Sequence, residues 1–197
     1  EGGTRIPLIV RWPARTPAGK IVDTPVMNSD WLHTFTDFAG LPSPENLDGH
    51  SLAPILLGQG PFPPRRLFWH FPHYTNQGSS PAGAVRDGDW KLIEHYEDGR
   101  LELFNLKSDP GEQRNLADSE PERASKLKTA LAEWRKKVGA QTNALNPNFN
   151  AELHRPIYKD IDISRFDPPA ASEAEFAKVL EWRRKMNAAL RRNAREN

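Results

Sequence analysis

His70-Phe71-Pro72-His73 is the densest run of side chains able to do chemistry in the sequence. Two imidazoles at this spacing can share a zinc ion when both project from one helix face. Pro72 and the strand-like run before it send them in different directions instead, and no carboxylate or third histidine lies close by. The spacing argues against a metal site. It favours one histidine packed at a strand end and the other at the mouth of the polar loop Thr75-Asn76-Gln77-Gly78-Ser79-Ser80, where it can meet a ligand. His95 has an intrinsic pKa near neutrality that suits proton transfer, but its alternation with Tyr96 equally suits a structural role. Arg86, Asp87, Asp89 and Lys91 crowd a single Asp-Gly turn, the pattern of a solvated hairpin tip.

Other chemistries are excluded by what the 197 residues lack. Without Cys there is no disulfide framework, thiolate metal site or cysteine nucleophile. No serine sits in a Gly-x-Ser-x-Gly elbow, and Gly2-Gly3 belongs to no Gly-x-x-x-x-Gly-Lys phosphate loop. A net charge of +1 is too balanced for a coat on nucleic acid or an anionic membrane. The last segment, 173–197, carries seven basic and four acidic residues, but the interleaved Glu and the missing base-stacking motif give a solvated helix face. No apolar run approaches the roughly 20 residues that span a bilayer.

These residues need elements to position them. Arg5 to Pro13 contains Leu8-Ile9-Val10, apolar on successive positions, which predicts a strand buried on both faces of a mostly parallel sheet. A helix is expected over Val26–Gly40, capped by Asn28, Ser29 or Asp30, with Trp31/Leu32, Phe35 and Phe38/Ala39 on its apolar face. A short helix follows at Ser51–Leu57, then a Gly/Pro-rich linker at 58–64. Leu67–Phe71, Ala84–Arg86, Trp90–Ile93 and Leu101–Phe104, punctuated by Asp87-Gly88 and Asp98-Gly99, predict an antiparallel meander of three or four strands. Alternation in the last of these implies one covered and one wet face. A helix over Glu122–Val138, entered through Asp118 or Ser119, aligns Ala124, Leu127, Leu131, Trp134 and Val138 to cover the dry side of the sheet. Residues 140–172 read as irregular, with Tyr158, Ile161 and Phe166 as anchors. A final helix to about Asn193 presents Phe176, Val179/Leu180, Met186 and Leu190.

Several of these segments resemble, in order, the type I formylglycine-dependent sulfatases, the arylsulfatase family of the alkaline-phosphatase-like superfamily. The opening Glu1-Gly2-Gly3-Thr4-Arg5-Ile6-Pro7 is similar to the family's Glu-Gly-Gly-x-Arg-x-Pro segment. Asn28-Ser29-Asp30-Trp31-Leu32-His33-Thr34, Leu47-Asp48-Gly49-His50-Ser51-Leu52 and Phe68-Trp69-His70-Phe71-Pro72-His73-Tyr74 follow in family order. So do Ala84-Val85-Arg86-Asp87-Gly88-Asp89-Trp90-Lys91-Leu92, Glu102-Leu103-Phe104-Asn105-Leu106 and Asp109-Pro110-Gly111-Glu112 with Asn115-Leu116. The resemblance covers residues 1 to about 140.

The resemblance implies an α/β fold (an α+β segment): the end of an alkaline-phosphatase-like catalytic domain followed by a small antiparallel sheet packed by a helix. Residues 1–60 would be the last strand and helices of the catalytic domain, 61–140 the C-terminal subdomain and 141–197 an extension. In such enzymes a formylglycine hydrate attacks the sulfur of a sulfate ester while calcium and basic side chains offset the charge on the sulfuryl oxygens. The Cys- or Ser-x-Pro-x-Arg motif that yields formylglycine is absent here, and the calcium ligands are expected upstream. A chain opening Glu1-Gly2-Gly3 without Met or signal peptide accordingly reads as the C-terminal part of a periplasmic or secreted sulfatase, inactive alone. Its partners are then the remaining catalytic domain of the same chain and a sulfated carbohydrate or aryl sulfate, without nucleic acid or membrane. By family position, His73 is the first substrate contact, with Tyr74, Asn76 and His70 next and His95 near the cleft. No catalytic and no metal-ligating residue is assigned. The competing reading is a non-enzymatic carbohydrate- or protein-interaction module built from the same subdomain.

Overall fold

Two Asp-Gly turns fold the middle of the chain into a four-stranded antiparallel sheet whose strands lie side by side in chain order. They are β1 (Arg66–Phe71), β2 (Ala82–Asp87), β3 (Trp90–His95) and β4 (Leu101–Asn105). The computed structural model describes residues 1–43, 45–161, 163 and 166–196, the side chains of 190–196 excepted. Among the described residues five helices accompany the sheet: α1 (Asp30–Phe38), α2 (Ala53–Leu56), α3 (Pro121–Lys137), α4 (Ala151–Tyr158) and α5 (Glu173–Glu196). The chain forms two units, Glu1–Arg65 and Arg66–Asn197.

In the first unit, the strand expected around Leu8-Ile9-Val10 is absent. Residues 6–12 form no ladder, and Ile6, Leu8 and Ile9 are exposed. A run suited to the middle of a parallel sheet needs partner strands on both edges, and none lies among the described residues of this unit. The expected helix shortens to α1, and its buried side is polar. Asp30 and Thr34 are fully covered, whereas Leu32 and Phe35 are exposed. Hydrogen bonding explains the inversion. The Asp30 carboxylate accepts from the backbone N–H of Met27 at 2.7 Å and of His50 at 3.0 Å, and from both Arg65 Nη atoms at 2.6 and 2.5 Å. Thr34 Oγ1 accepts from the N–H of Leu52 at 2.9 Å. Asp30 thus ties Met27, His50 and Arg65 together and does not cap α1. Burial opposes its charge, but the Arg65 fork and the two N–H donors prevail and hold the carboxyl below the usual range.

In the second unit, Phe68, Val85, Leu92 and Leu103 stand in register on one face of the sheet. Ala124, Leu127 and Leu131 of α3 pack against that face, flanked by Trp134, whose ring stacks on Phe68 at 5.0 Å. The stripe ends one turn earlier than expected, for Val138 is exposed. Glu120 occupies the N-cap position without a side-chain bond, in place of Asp118 or Ser119. Strict alternation fails in β4, where Leu103 and Phe104 are both buried, so both faces of that strand are covered. Lys91 departs from the solvated-tip pattern: it is buried and paired with Glu112 at 2.7 Å.

The stretch expected to be irregular contains α4, capped by Asn150, whose side chain accepts from the N–H of Glu152 and Leu153. Its Ile157 packs with Trp182 and Met186 of α5, and Tyr158 and Ile161 join them as anchors. Phe166 stands edge-on to Phe176 at 5.2 Å. The buried stripe of α5 runs through Trp182 and Met186 and leaves Phe176 and Leu180 exposed, a rotation of the expected face. Leu190, Arg191, Arg192 and Arg195 lie outside the described side chains. Ser172 and Glu175 begin α5 as a reciprocal cap: the Glu175 carboxylate accepts from the Ser172 N–H, and Ser172 Oγ accepts from the Glu175 N–H.

Candidate functional site

Between β1 and β2 the chain makes the loop 72–81. Thr75 organises its tip: the Thr75 N–H donates to the carbonyl of Ser79 at 3.0 Å, and Thr75 Oγ1 accepts from the N–H groups of Gln77 and Ser79. Gly78 takes φ +90°, a left-handed conformation that side-chain-bearing residues rarely adopt. His73 and Asn76 are exposed on this loop, the His73 ring standing edge-on to Phe71 at 5.4 Å.

The five residues singled out in the sequence do not converge on one point. Strand alternation puts His70 on the α3 face of the sheet and His95 on the opposite face, in register with Ala82 and, across it, Phe71. Both ring nitrogens of His70 are engaged. Nε2 meets the carbonyl of Gln141 at 2.8 Å, and Nδ1 meets the Tyr96 hydroxyl at 2.7 Å. A carbonyl only accepts, so Nε2 carries a proton, and Nδ1 faces the Tyr96 hydroxyl, which can donate to it. Gly83 beneath them has no room for a side chain, since an added Cβ would collide with the Tyr96 hydroxyl.

Tyr96 and its neighbours were not anticipated from the sequence. Arg135 of α3 lies over the Tyr96 ring at 4.8 Å and pairs with the buried Glu94 at 2.8 Å. Burial pushes the Tyr96 phenol up in spite of Arg135, which keeps its proton available to His70. The signal lay in the one-residue offset of Glu94 and Tyr96 from the His95 row, which aims both at α3.

On the far face, His95 Nε2 lies 3.1 Å from Glu102, whose other oxygen accepts from Arg100 at 2.5 Å. The His95 bond foremost, and Arg100 with it, hold the Glu102 carboxyl below its usual range despite burial. An imidazole oriented by a carboxylate keeps its proton on the bonded nitrogen and can present the other to a ligand. Tyr74 bonds through its hydroxyl to Glu97 and lies against Tyr158 at 4.7 Å and His154 at 5.7 Å. Burial, reinforced by Glu97, raises the Tyr74 pKa, so the phenol stays neutral.

Among the described residues no group of three or more His, Asp or Glu is arranged to hold a metal ion, and the chain has no Cys. No described helix is long and apolar enough to cross a membrane.

Known proteins match across this architecture. Residues 1–137 match the family described as N-sulphoglucosamine sulphohydrolase, C-terminal. A sulfatase of Formosa agariphila is 35% identical over 159 residues, 72% of this chain and 29% of that protein. An N-acetylglucosamine-6-O-sulfatase of Bacteroides thetaiotaomicron is 35% identical over 117 residues, 57% of this chain and 21% of its own length. The crystal structure of Ps i-CgsB in complex with k-i-k-neocarrahexaose superposes with a TM-score of 0.51 at 25% identity, covering 62% of this chain and 27% of that one. The chain therefore spans less than a third of the length of these relatives. By a family match that takes in α1 to α3 and the whole sheet, the chain belongs to the N-sulphoglucosamine sulphohydrolase C-terminal family of sulfatase domains.

Proposed function

We propose that this chain is the C-terminal part of a sulfuric ester hydrolase acting on sulfated carbohydrate, and that its 72–81 loop walls the substrate pocket. The family match over residues 1–137 carries the reading, and the sugar-sulfatase name of the Bacteroides thetaiotaomicron relative supports a carbohydrate ester as substrate. The exposed His73 and Asn76 and the carboxylate-oriented His95 are the side chains offered to the sugar. His70, saturated by Tyr96 and Gln141, contributes by fixing the end of β1. The nucleophile and calcium belong to other residues of the enzyme, which acts in the periplasm or outside the cell.

Turnover of sulfated glucosamines and of a small aryl sulfate tests this. The purified 197-residue chain is expected to hydrolyse neither, even with calcium, and the enzyme containing it both. Hydrolysis by the chain alone overturns the division of labour. His73→Ala in the whole enzyme is expected to change the preference among sulfated sugars more than the rate on the aryl sulfate. Equal losses on every ester overturn the selecting role of His73.

A further inference from the structure

Residues beyond Lys137 lie outside the family match, yet they return to the 72–81 loop at one point after another. Asn143 Nδ2 donates to the Pro72 carbonyl at 2.7 Å, and Arg183 Nη1 donates to the Asn76 carbonyl at 3.1 Å. The Tyr158 hydroxyl reaches the Thr75 carbonyl at 3.5 Å. The Trp182 ring covers Gly78 so closely that a Cβ there would lie 2.8 Å from Cζ2. Tyr74, between these points in sequence, packs on Tyr158 and His154.

Three of these contacts grip main-chain carbonyls. They fix the course of the loop whatever side chains it bears, and the exposed His73 and Asn76 remain turned outward. The gripping elements are themselves anchored. Trp182 is buried, and its Nε1 donates to the Ile157 carbonyl at 2.8 Å, locking α5 to α4. Lys159 pairs with Asp98 at 3.2 Å, fastening the end of α4 to the turn between β3 and β4, and His154 Nε2 lies 3.4 Å from Glu97. Ordering a loop costs backbone entropy, and a tether every one or two residues meets that cost before any ligand arrives.

We propose that the segment from 141 to the end of α5 is a clamp that holds the 72–81 loop in one conformation and so decides which sulfated substrate the loop admits. Trp182, Arg183 and Asn143 are its positioning residues. The proposal rests on the reading that this loop faces substrate.

The combined variant Asn143→Ala/Arg183→Ala removes two exposed side chains, one of which lies over the Trp182 ring, and keeps Trp182 with its bond to Ile157, so it separates clamping from folding. Hydrogen exchange at Gln77, Gly78 and Ser79 in the 197-residue chain is expected to accelerate about tenfold, with the β2 and β3 amides unchanged. In the whole enzyme the variant should raise KM for a sulfated oligosaccharide about tenfold and leave kcat on a small aryl sulfate within about twofold. Trp182→Ala should do the same more strongly, and Trp182→Phe should restore most of the effect. Unchanged exchange in the combined variant overturns the clamp. Accelerated exchange with both substrates affected equally, or neither affected, shows that the clamp exists and overturns its role in selection, placing the failure in the substrate-facing reading.

Discussion

Replacing the Asp30 carboxylate by an amide of the same shape strips Arg65 of its counter-charge where the Arg65 side chain is only 12% exposed. Breaking a buried pair from one side costs about 3–5 kcal/mol, and Asp30→Asn is expected to destabilise the first unit by that amount in denaturant titrations followed by hydrogen exchange at its amides. A loss below about 1 kcal/mol would show that water replaces the missing charge. The pH dependence has a fixed sign. Because the folded carboxyl sits below its ordinary value, the stabilisation is complete above the ordinary carboxylate range and fades as pH falls through the depressed folded value. Acid unfolding of wild type should therefore set in below about pH 4, and the Asp30→Asn variant should lose this dependence. Stability of the unit that declined already between pH 7 and 5 would assign the sensitivity to a histidine instead.

At the scale of elements, α3 is held to the sheet by a few deep side chains. Leu131 is fully buried among Val85, Leu92 and Leu103, and Leu131→Ala is expected to cost about 2–5 kcal/mol, read by thermal and denaturant unfolding. Val138→Ala, one step beyond the covered stripe, should stay within about 0.5 kcal/mol, and similar losses at both positions would mean that α3 does not pack as described. These are the parts most legible in the sequence. The two Asp-Gly turns, the short apolar and aromatic runs flanking them and the spacing of Ala124, Leu127 and Leu131 are local signals, and local signals suffice for a meander with a covering helix. The polar buried side of α1 was not legible, because Asp30 and Thr34 face partners 18 to 35 residues away and amphipathic spacing reports only where apolar side chains recur. The same reason hid α4 and turned the stripe of α5. Trp182 is buried by Ile157 and Gly78, neither of which helical periodicity within α5 can foresee. In the candidate site, His73 and Asn76 were legible as exposed loop residues. The saturation of His70 was not, since its partner Gln141 lies 71 residues downstream.

Among the described residues the second unit buries two apolar clusters, while the first leaves large apolar side chains open. Ile6, Ile9, Ile21 and Leu41 are 70%, 88%, 88% and 60% exposed, an apolar surface that isolated soluble domains seldom carry. The purified chain is expected to bind a hydrophobic dye and to self-associate with rising concentration in light scattering, whereas 66–197 alone should do so far less. Equal association by both would move the sticky surface to the second unit. The order of the strands has a kinetic consequence. Every strand pairs with its neighbour in sequence, so the sheet itself closes short loops only and should form early. The contacts from Gln141, Asn143 and Arg183 close loops of 71 to 107 residues and can form only on a finished sheet. Refolding should therefore proceed in two steps: a fast phase that builds the meander, then a slower one in which the 72–81 loop loses its freedom and its amides gain protection from exchange.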